Sequence, residues 1–469
     1  MIPFVGPSYN LATPKADIQR AINLMLVGLE TPGKAPFIMQ SVPGLIQRWQ
    51  LVGSIRGTIE TNTRAYAVAG STLYELHADY TSTVRGTLAT STGDVSMAYG
   101  LFQVVMVDGP SGYVFTEATD TLAQIAAAGF PGANRVDFCD NYFVFTRDRD
   151  GQQYQISAIN NALAVDALDF ASSESSPDDL VGHLVVQAGI LLFGLLTCEL
   201  HVNTGASDFP FERSRGSGFR VGLMACHSLR EIDNGAMWLG RDETGSGIVY
   251  RLAGGQAQRV STQAVEQALQ ASTDLTQATA YTYQDKGLTV YCINAPGLLS
   301  TWCYEVSSGA WHERCELDAN GFFLAGRATH ALFAFDRHFV GDATGAIYEL
   351  SGTTYTNAGD PLVRERISPH SATRSRYRID FGAFWIDCST GEAAQGDTPH
   401  VELSYSNDSG ARWSTPQARS QGAVGERFSR LLWQRCGMGR DRVTKVRFSG
   451  NAPFSIMDGG YVAPKELKT

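Results

Sequence analysis

"HFVGDATGAIYEL", His338–Leu350, holds one full unit of this chain: a short apolar strand, a glycine-containing turn, and a second strand ending in Tyr348-Glu349-Leu350. The second half of that unit returns as "STLYEL" at Tyr74, "SGYVFT" at Tyr113, "GQQYQIS" at Tyr154, "LLTCELHV" at Glu199, "GSGIVYRL" at Tyr250 and "LSTWCYEV" at Tyr304. From Tyr74 to Tyr348 the separations are 39, 41, 45, 51, 54 and 44 residues. Ahead of most of them lies a second apolar run: "RAYAVAG", "FQVVMVDG", "NYFVFTRD", "GAMWLGRD", "GLTVYCIN". Repeats of about 40–50 residues built only from short strands predict a β-propeller, because one small sheet cannot bury both faces alone and blades around an axis bury them for each other. Seven hairpin signals predict six or seven blades, with one repeat split between the chain's ends. The competing reading is a set of stacked β-sandwiches.

The repeat sets the domain boundaries. Residues 1–52 read as an N-terminal arm and first strands closing onto the propeller, and 53–360 as the propeller itself. The stretch 202–228, "VNTGASDFPFERSRGSGFRVGLMACHS", is longer than a blade needs and reads as an excursion between blades. One helix interrupts the strands: "RVSTQAVEQALQAS", capped by Ser261 or Thr262, with Val265, Ala268 and Leu269 on one face. After Asp360 the period is lost. Five strand-like runs, from "RYRIDFGAFWID" to "PFSIMDG", predict a small β-sandwich-like module over 361–469.

Charge divides along the same boundary. The chain carries a net −10; residues 361–469 hold 16 Lys/Arg against 11 Asp/Glu, and the part before them 21 against 36. With 43% hydrophobic and 18% charged residues the chain is an ordered globular protein. The longest apolar run, "LVVQAGILLFGLL" from Leu184, is too short to span a bilayer and contains Gln187 and two glycines. The start, "MIPFVGPSYNLATPK", lacks the basic beginning and apolar core of a secretion signal. None of the eight cysteines forms a C-x-x-C pair, and several sit in strand-like runs, as small hydrophobes do in a protein made in a reducing cytoplasm.

Four stretches carry residues that could do chemistry. "SYSNDSGARWS" contains Ser406, Asp408, Gly410 and Trp413 in the S-x-D-x-G-x-x-W spacing of the Asp box met in sialidases. Asp408 is placed to bond its own backbone and Gly410 to take positive φ, so the stretch reads as a hairpin turn with a Trp beneath it. A sialidase would repeat the motif through its blades and set two carboxylates across a sugar; a single box leaves a carbohydrate-binding or glycan-cleaving propeller as the alternative. "GLETPGKA", Gly28–Ala35, has Walker A spacing but puts Ala35 where Mg²⁺ needs a hydroxyl, and Pro36 and Pro43 oppose the helix that must follow. "WHER", Trp311–Arg314, reads as structural, and with no H-E-x-x-H no metal site is expected. Arg374, Arg376 and Arg378 alternate along a strand and are candidate contacts for an acidic partner surface.

Taken together, several segments resemble the packaged-DNA stabilisation proteins of short-tailed phages, the tail accessory hub or nozzle family of the Salmonella podovirus type. They are "DIQRAINLMLVGLETPGKAPFIMQSVPGL", "SIRGTIETNTRAYAVAGSTLYEL", "RVSTQAVEQAL", "WHER" and "VELSYSNDSGARWS…RLLWQRCGMGRDRVTKVRFSG", in this order from about Leu11 to Ser449. The resemblance implies a structural virion protein without catalytic residues or cofactors. It implies a homo-oligomeric ring of six copies below the portal and its adaptor, assembled in the host bacterial cytoplasm. The ring continues the DNA channel, retains packaged DNA, and meets a needle or plug and tailspikes or fibres. DNA passes through without sequence-specific binding, and an acidic wall would keep phosphate from sticking.

Overall fold

The computed structural model describes residues 4–31, 33–147, 149, 151–173, 176–187, 189–373, 377–428, 430–462 and 464–467. The hairpin quoted above shows how the repeat folds. Strands Arg337–Gly341 and Ala346–Ser351 pair antiparallel around a turn closed by Asp342. One oxygen of its buried carboxylate accepts from the Thr344 amide (2.8 Å), the Thr344 hydroxyl (2.7 Å) and the Ala346 amide (3.0 Å). The other accepts from the Tyr348 hydroxyl at 3.0 Å. Gly345 takes φ +85°, and a Cβ there would lie 2.4 Å from the carbonyl oxygens of Leu51 and Gly53, so only glycine fits. Asp242 repeats the device, accepting from Thr244, Gly245 and Tyr250.

Seven such sheets close a ring. Their first strands are Ile55–Glu60, Ser96–Gly100, Arg135–Cys139, Leu180–Val186, Arg230–Ile232, Thr279–Asp285 and His330–Ala334. Each packs against the first strands of its neighbours, and the seventh packs on the first. Blade seven takes its outer strand, Gly44–Gln50, from the other end of the chain, so the ring is fastened by a repeat split between the two termini. The propeller of six or seven blades is thus one of seven, followed by a β-sandwich. The helix Gln263–Gln270 is capped by Thr262 and seats Val265 and Leu269 in the core between blades five and six.

Two boundaries differ from the sequence reading. Residues 202–228 are not an excursion: they supply the outer strand of blade four (Phe211–Arg213) and a two-residue strand of blade five (Gly222–Leu223). These strands are too short to carry an alternating pattern. Nor do residues 1–52 all close onto the propeller: Gly44–Gln50 does, as expected, but the strands Ile18–Ile22, Leu24–Gly28 and Phe37–Ser41 before it belong to the sandwich. Ile18–Ile22 joins Arg364–Ile367, Asp441–Phe448, His400–Ser406 and Gln417–Ser420 in one sheet of the sandwich. Leu24–Gly28 and Phe37–Ser41 join Ser455–Val462, Ala383–Cys388 and Leu431–Gln434 in the other. The core between these sheets mixes Leu24, Leu26 and Met39 with Phe384, Ile386, Trp433 and Phe448. The physical reason is the apolar run Leu24–Val27, buried along its whole length: it needs cover on both faces, and the sandwich core takes Leu24 and Leu26 while Met25 and Val27 pack with Tyr281, Val290 and Ala346 of blades six and seven.

Removing the turn carboxylate tests the hairpin device. Asp342→Ala strands four donors and should cost about 2 kcal/mol of unfolding free energy, read from denaturant titration, whereas Tyr348→Phe should cost about 1 kcal/mol.

Candidate functional site: the axial channel and the joint between the domains

The propeller axis holds a cavity of about 770 Å³, lined among others by Arg135, Asp137, His227, Arg230, Glu231 and His330. Its wall is polar because first strands turn alternate side chains inward, and these charges face one another. Arg135 Nε lies 3.5 Å from Asp137, and Arg230 donates to the Ala280 carbonyl at 2.7 Å. Behind the wall Asp94 stands 3.4 Å from His330 Nε2 and 3.9 Å from His227 Nε2. Burial opposes the Asp94 charge, yet the His330 hydrogen bond and the nearby His227 and Arg230 hold its pKa well below the usual carboxylate range. Burial pushes His183 and His227 down to about 4, so both are neutral at pH 7. The first strands run three to seven residues, the longer ones spanning roughly 17–23 Å; about 770 Å³ over that length, with a water's clearance at the wall, makes the cavity roughly 10 Å across. One major groove of B-DNA is about 12 Å wide. Duplex DNA does not fit this channel. Among the described residues no group of three metal-ligating side chains converges.

The second feature is the joint. The sandwich sheet is continuous with blade six: Ile22 pairs in parallel with Glu313 of the blade's outer strand, Ala310–Leu317. Glu313 is 2% exposed. Its carboxylate accepts from Arg20 through both nitrogens of the fork, from Ser300 at 2.7 Å and from Ser8 at 3.0 Å. Burial opposes its charge, but Arg20 and the two hydroxyls prevail and depress its pKa. Beside it Asn23 takes φ +52° and is fully buried. Its amide donates to the carbonyls of Cys315 (2.9 Å) and Val363 (2.7 Å), and its oxygen accepts from the Cys315 amide at 3.0 Å.

The Asp-box residues sit where strand His400–Ser406 turns toward Gln417–Ser420. Ser406 Oγ donates to Asp408 at 2.6 Å and accepts from the Gly410 amide at 2.9 Å, while Asp408 accepts from the Arg412 amide at 2.9 Å. The Ser406 hydroxyl, then the Arg412 amide, hold the Asp408 pKa below the ordinary carboxylate value. Gly410 has φ +88°, and Trp413 lies under Lys445, 4.3 Å from its ring centroid. The carboxylate is taken up by its own turn. Arg374 and Arg376 lie outside the described residues; Arg378 is exposed on a short strand, Arg378–Asp380, paired with Lys465–Leu467.

Sequence reasoning set "WHER" aside as structural without seeing what Glu313 meets, because Arg20 is far off in the chain. It also missed three buried arginines. Arg366 donates to the carbonyls of Phe4 (2.7 Å) and Pro7 (2.9 Å), Arg364 to that of Ala452 (3.0 Å), and Arg442 to Asn407 (2.9 Å) between the rings of Phe381 and Tyr405. Part of the basic excess of 361–469 is therefore internal.

Fold and joint define an all-β scaffold in which propeller and sandwich are built as one body. A family model described as "Bacteriophage P22 Gp10, beta-propeller" matches residues 18–355, and a second, "Bacteriophage P22 Gp10, beta-sandwich", matches 367–460. The chain belongs to this family of phage structural proteins and is a component of the virion. No curated protein matches it. Similar solved structures include the computationally designed Ika8 protein, at 14% identity and TM-score 0.39, covering 71% of this chain and 99% of that one. The WD40 β-propeller domain of Doa1 is 11% identical, with TM-score 0.39 and coverage of 67% and 97%. The N-terminal domain of Nup159 is 8% identical, with TM-score 0.43 and coverage of 71% and 98%.

Two predictions follow from this geometry. Glu313→Gln leaves Arg20 without its counter-charge and should cost about 3 kcal/mol at pH 7. Because the folded pKa of Glu313 is depressed, its stabilisation is present above the unfolded value near 4.5 and is lost as pH falls through the folded one. The gap between wild type and variant should therefore close in acid, in denaturation curves at stepped pH. Asp408→Ala should lower the thermal midpoint modestly, leave the rest of the sandwich folded, and abolish no glycan cleavage in a substrate screen.

Proposed function

We propose that the protein is the hub of a short phage tail. It forms a ring that continues the DNA path below the portal and adaptor, retains the packaged genome, and carries the needle or plug and the spikes or fibres. The observation that carries this reading is the match of both domains, in order, to one family of phage structural proteins. The narrow axial channel agrees with it in a specific way: DNA runs between copies arranged in a ring, not through any one propeller. A ring needs a head-to-tail interface with two unlike surfaces and closes with cyclic symmetry; six copies are expected by analogy with the family. The net charge of −10 suits a conduit that phosphate must not stick to. Arg374, Arg376 and Arg378 are proposed contacts for an acidic neighbour, whose attachment would weaken with added salt.

Phage lacking this protein should package genomes and then leak them, giving DNA-depleted heads without needle or spikes in electron micrographs. Particles that keep their DNA and fail only in binding or degrading host glycans would overturn the hub reading in favour of a carbohydrate-active propeller.

A further inference from the structure

Blade six contains a pair of cysteines whose placement is unlike that of the other six. Strands Leu288–Asn294 and Thr301–Glu305 run antiparallel with Cys292 directly opposite Cys303. The Val306 amide donates to the Thr289 carbonyl in the same register, so that pair is hydrogen-bonded. Alternation along the ladder makes Cys292 and Cys303 a non-hydrogen-bonded pair, in which opposed Cα atoms stand about 4.5 Å apart and side chains are closest. That spacing lies within the range a disulfide spans. Their sulfurs are 3.0 Å apart, and both residues are fully buried. The same face of the blade carries Arg314, 2% exposed, whose guanidinium donates to the Pro43 carbonyl at 3.0 Å. Among the described residues no carboxylate lies in ion-pair range of it, and one of its terminal nitrogens has no partner. Burial, and then the neighbouring Cys292 sulfur, push the Cys303 thiol well up, and the Arg314 guanidinium pulls the other way, favouring whatever thiolate forms beside it.

We propose that Cys292 and Cys303 are a redox site: thiols while the chain folds in a reducing compartment, and a cross-strand disulfide once the protein meets a low-molecular-weight disulfide outside it. The step is thiol–disulfide exchange. A cysteine thiolate attacks one sulfur of the small disulfide and releases one small thiol. The second cysteine then attacks the protein sulfur of the mixed disulfide and releases the other. In sum, two protein thiols and one small disulfide give one protein disulfide and two small thiols. The bond would clamp the middle strands of the blade whose outer strand carries the joint to the sandwich. It does not depend on the hub reading.

The test uses the full chain, purified under reductant and then incubated native with oxidised glutathione. The sample is unfolded in denaturant with an alkylating agent and its intact mass measured, beside a sample kept reduced. Six of the eight cysteines should take the label. The two that do not should map to Cys292 and Cys303 as a linked pair after chymotryptic cleavage between them at Leu299. In Cys303→Ser this protected pair should vanish. Label on all eight cysteines after oxidation, or protection mapping to a different pair, would overturn the proposal.

Discussion

At the outer edge of blade six a carboxylate is shut off from water, and an uncompensated charge there would cost several kcal/mol. Glu313 escapes that cost only when Arg20, Ser8 and Ser300 reach it, and two of those three arrive from the chain's first twenty residues. Satisfying it therefore fixes where Ile18–Ile22 lies, and most of the rest follows. Asn23 turns the chain from one sandwich sheet to the other in a left-handed conformation that asparagine tolerates. Its side chain is spent on carbonyls and an amide at the seam. Leu24–Gly28 and Phe37–Ser41 then enter the second sheet, and Gly44–Gln50 closes the ring. Ring closure and sandwich assembly hang on the same few residues. With so many pairings remote in sequence, folding should be slow and late-closing.

The blades were legible because their information is local. In blades five and seven an Asp two residues before a Thr, a glycine, and a Tyr in the next strand close the turn within about ten residues, as Asp242 and Asp342 do. The helix was legible for the same reason. What stayed hidden was whatever pairs across the chain. Closure of the ring by the first strands was expected, but Gly44–Gln50, "GLIQRWQ", carries no repeat unit that names its partner, and Ala346–Ser351 is some three hundred residues away. The composite sandwich was hidden too, since no residue in Leu24–Gly28 announces a partner near Phe384. The Asp-box stretch was legible as a turn because its bonds are local, but not in detail: the Gly410 amide goes to Ser406, and Asp408 takes the Ser406 hydroxyl and the Arg412 amide four residues on, not its own backbone two residues on.

Charge is where sequence arithmetic misled. A basic C-terminal segment reads as a basic surface, but Arg364, Arg366 and Arg442 are buried and act as staples on backbone carbonyls of loops and of the N-terminal segment, Arg442 on those of Cys436 and Met438. Arginine suits this because its fork serves several carbonyls at once while its plane packs on rings such as Phe448 and Phe381. Lysine would leave most of those carbonyls unmatched.

A structural protein of a virion must bear load without letting its domains part. Domains strung on one linker meet through modest, separable interfaces, and relative motion is the default. This chain is built against that default. It passes from sandwich to propeller at Val42–Pro43 and back again between Ser351 and Arg364. The first passage is pinned from both sides: the Val42 amide donates to the Asn23 carbonyl, and Arg314 holds the Pro43 carbonyl. Between the passages the Ile22–Glu313 pairing makes one sheet of blade and sandwich. Pulling the domains apart therefore means unzipping a blade, a sandwich strand and a buried ion pair together. A flexible tether would have required none of these. The cooperativity that makes the fold hard to read from sequence is the same property that makes it rigid under load.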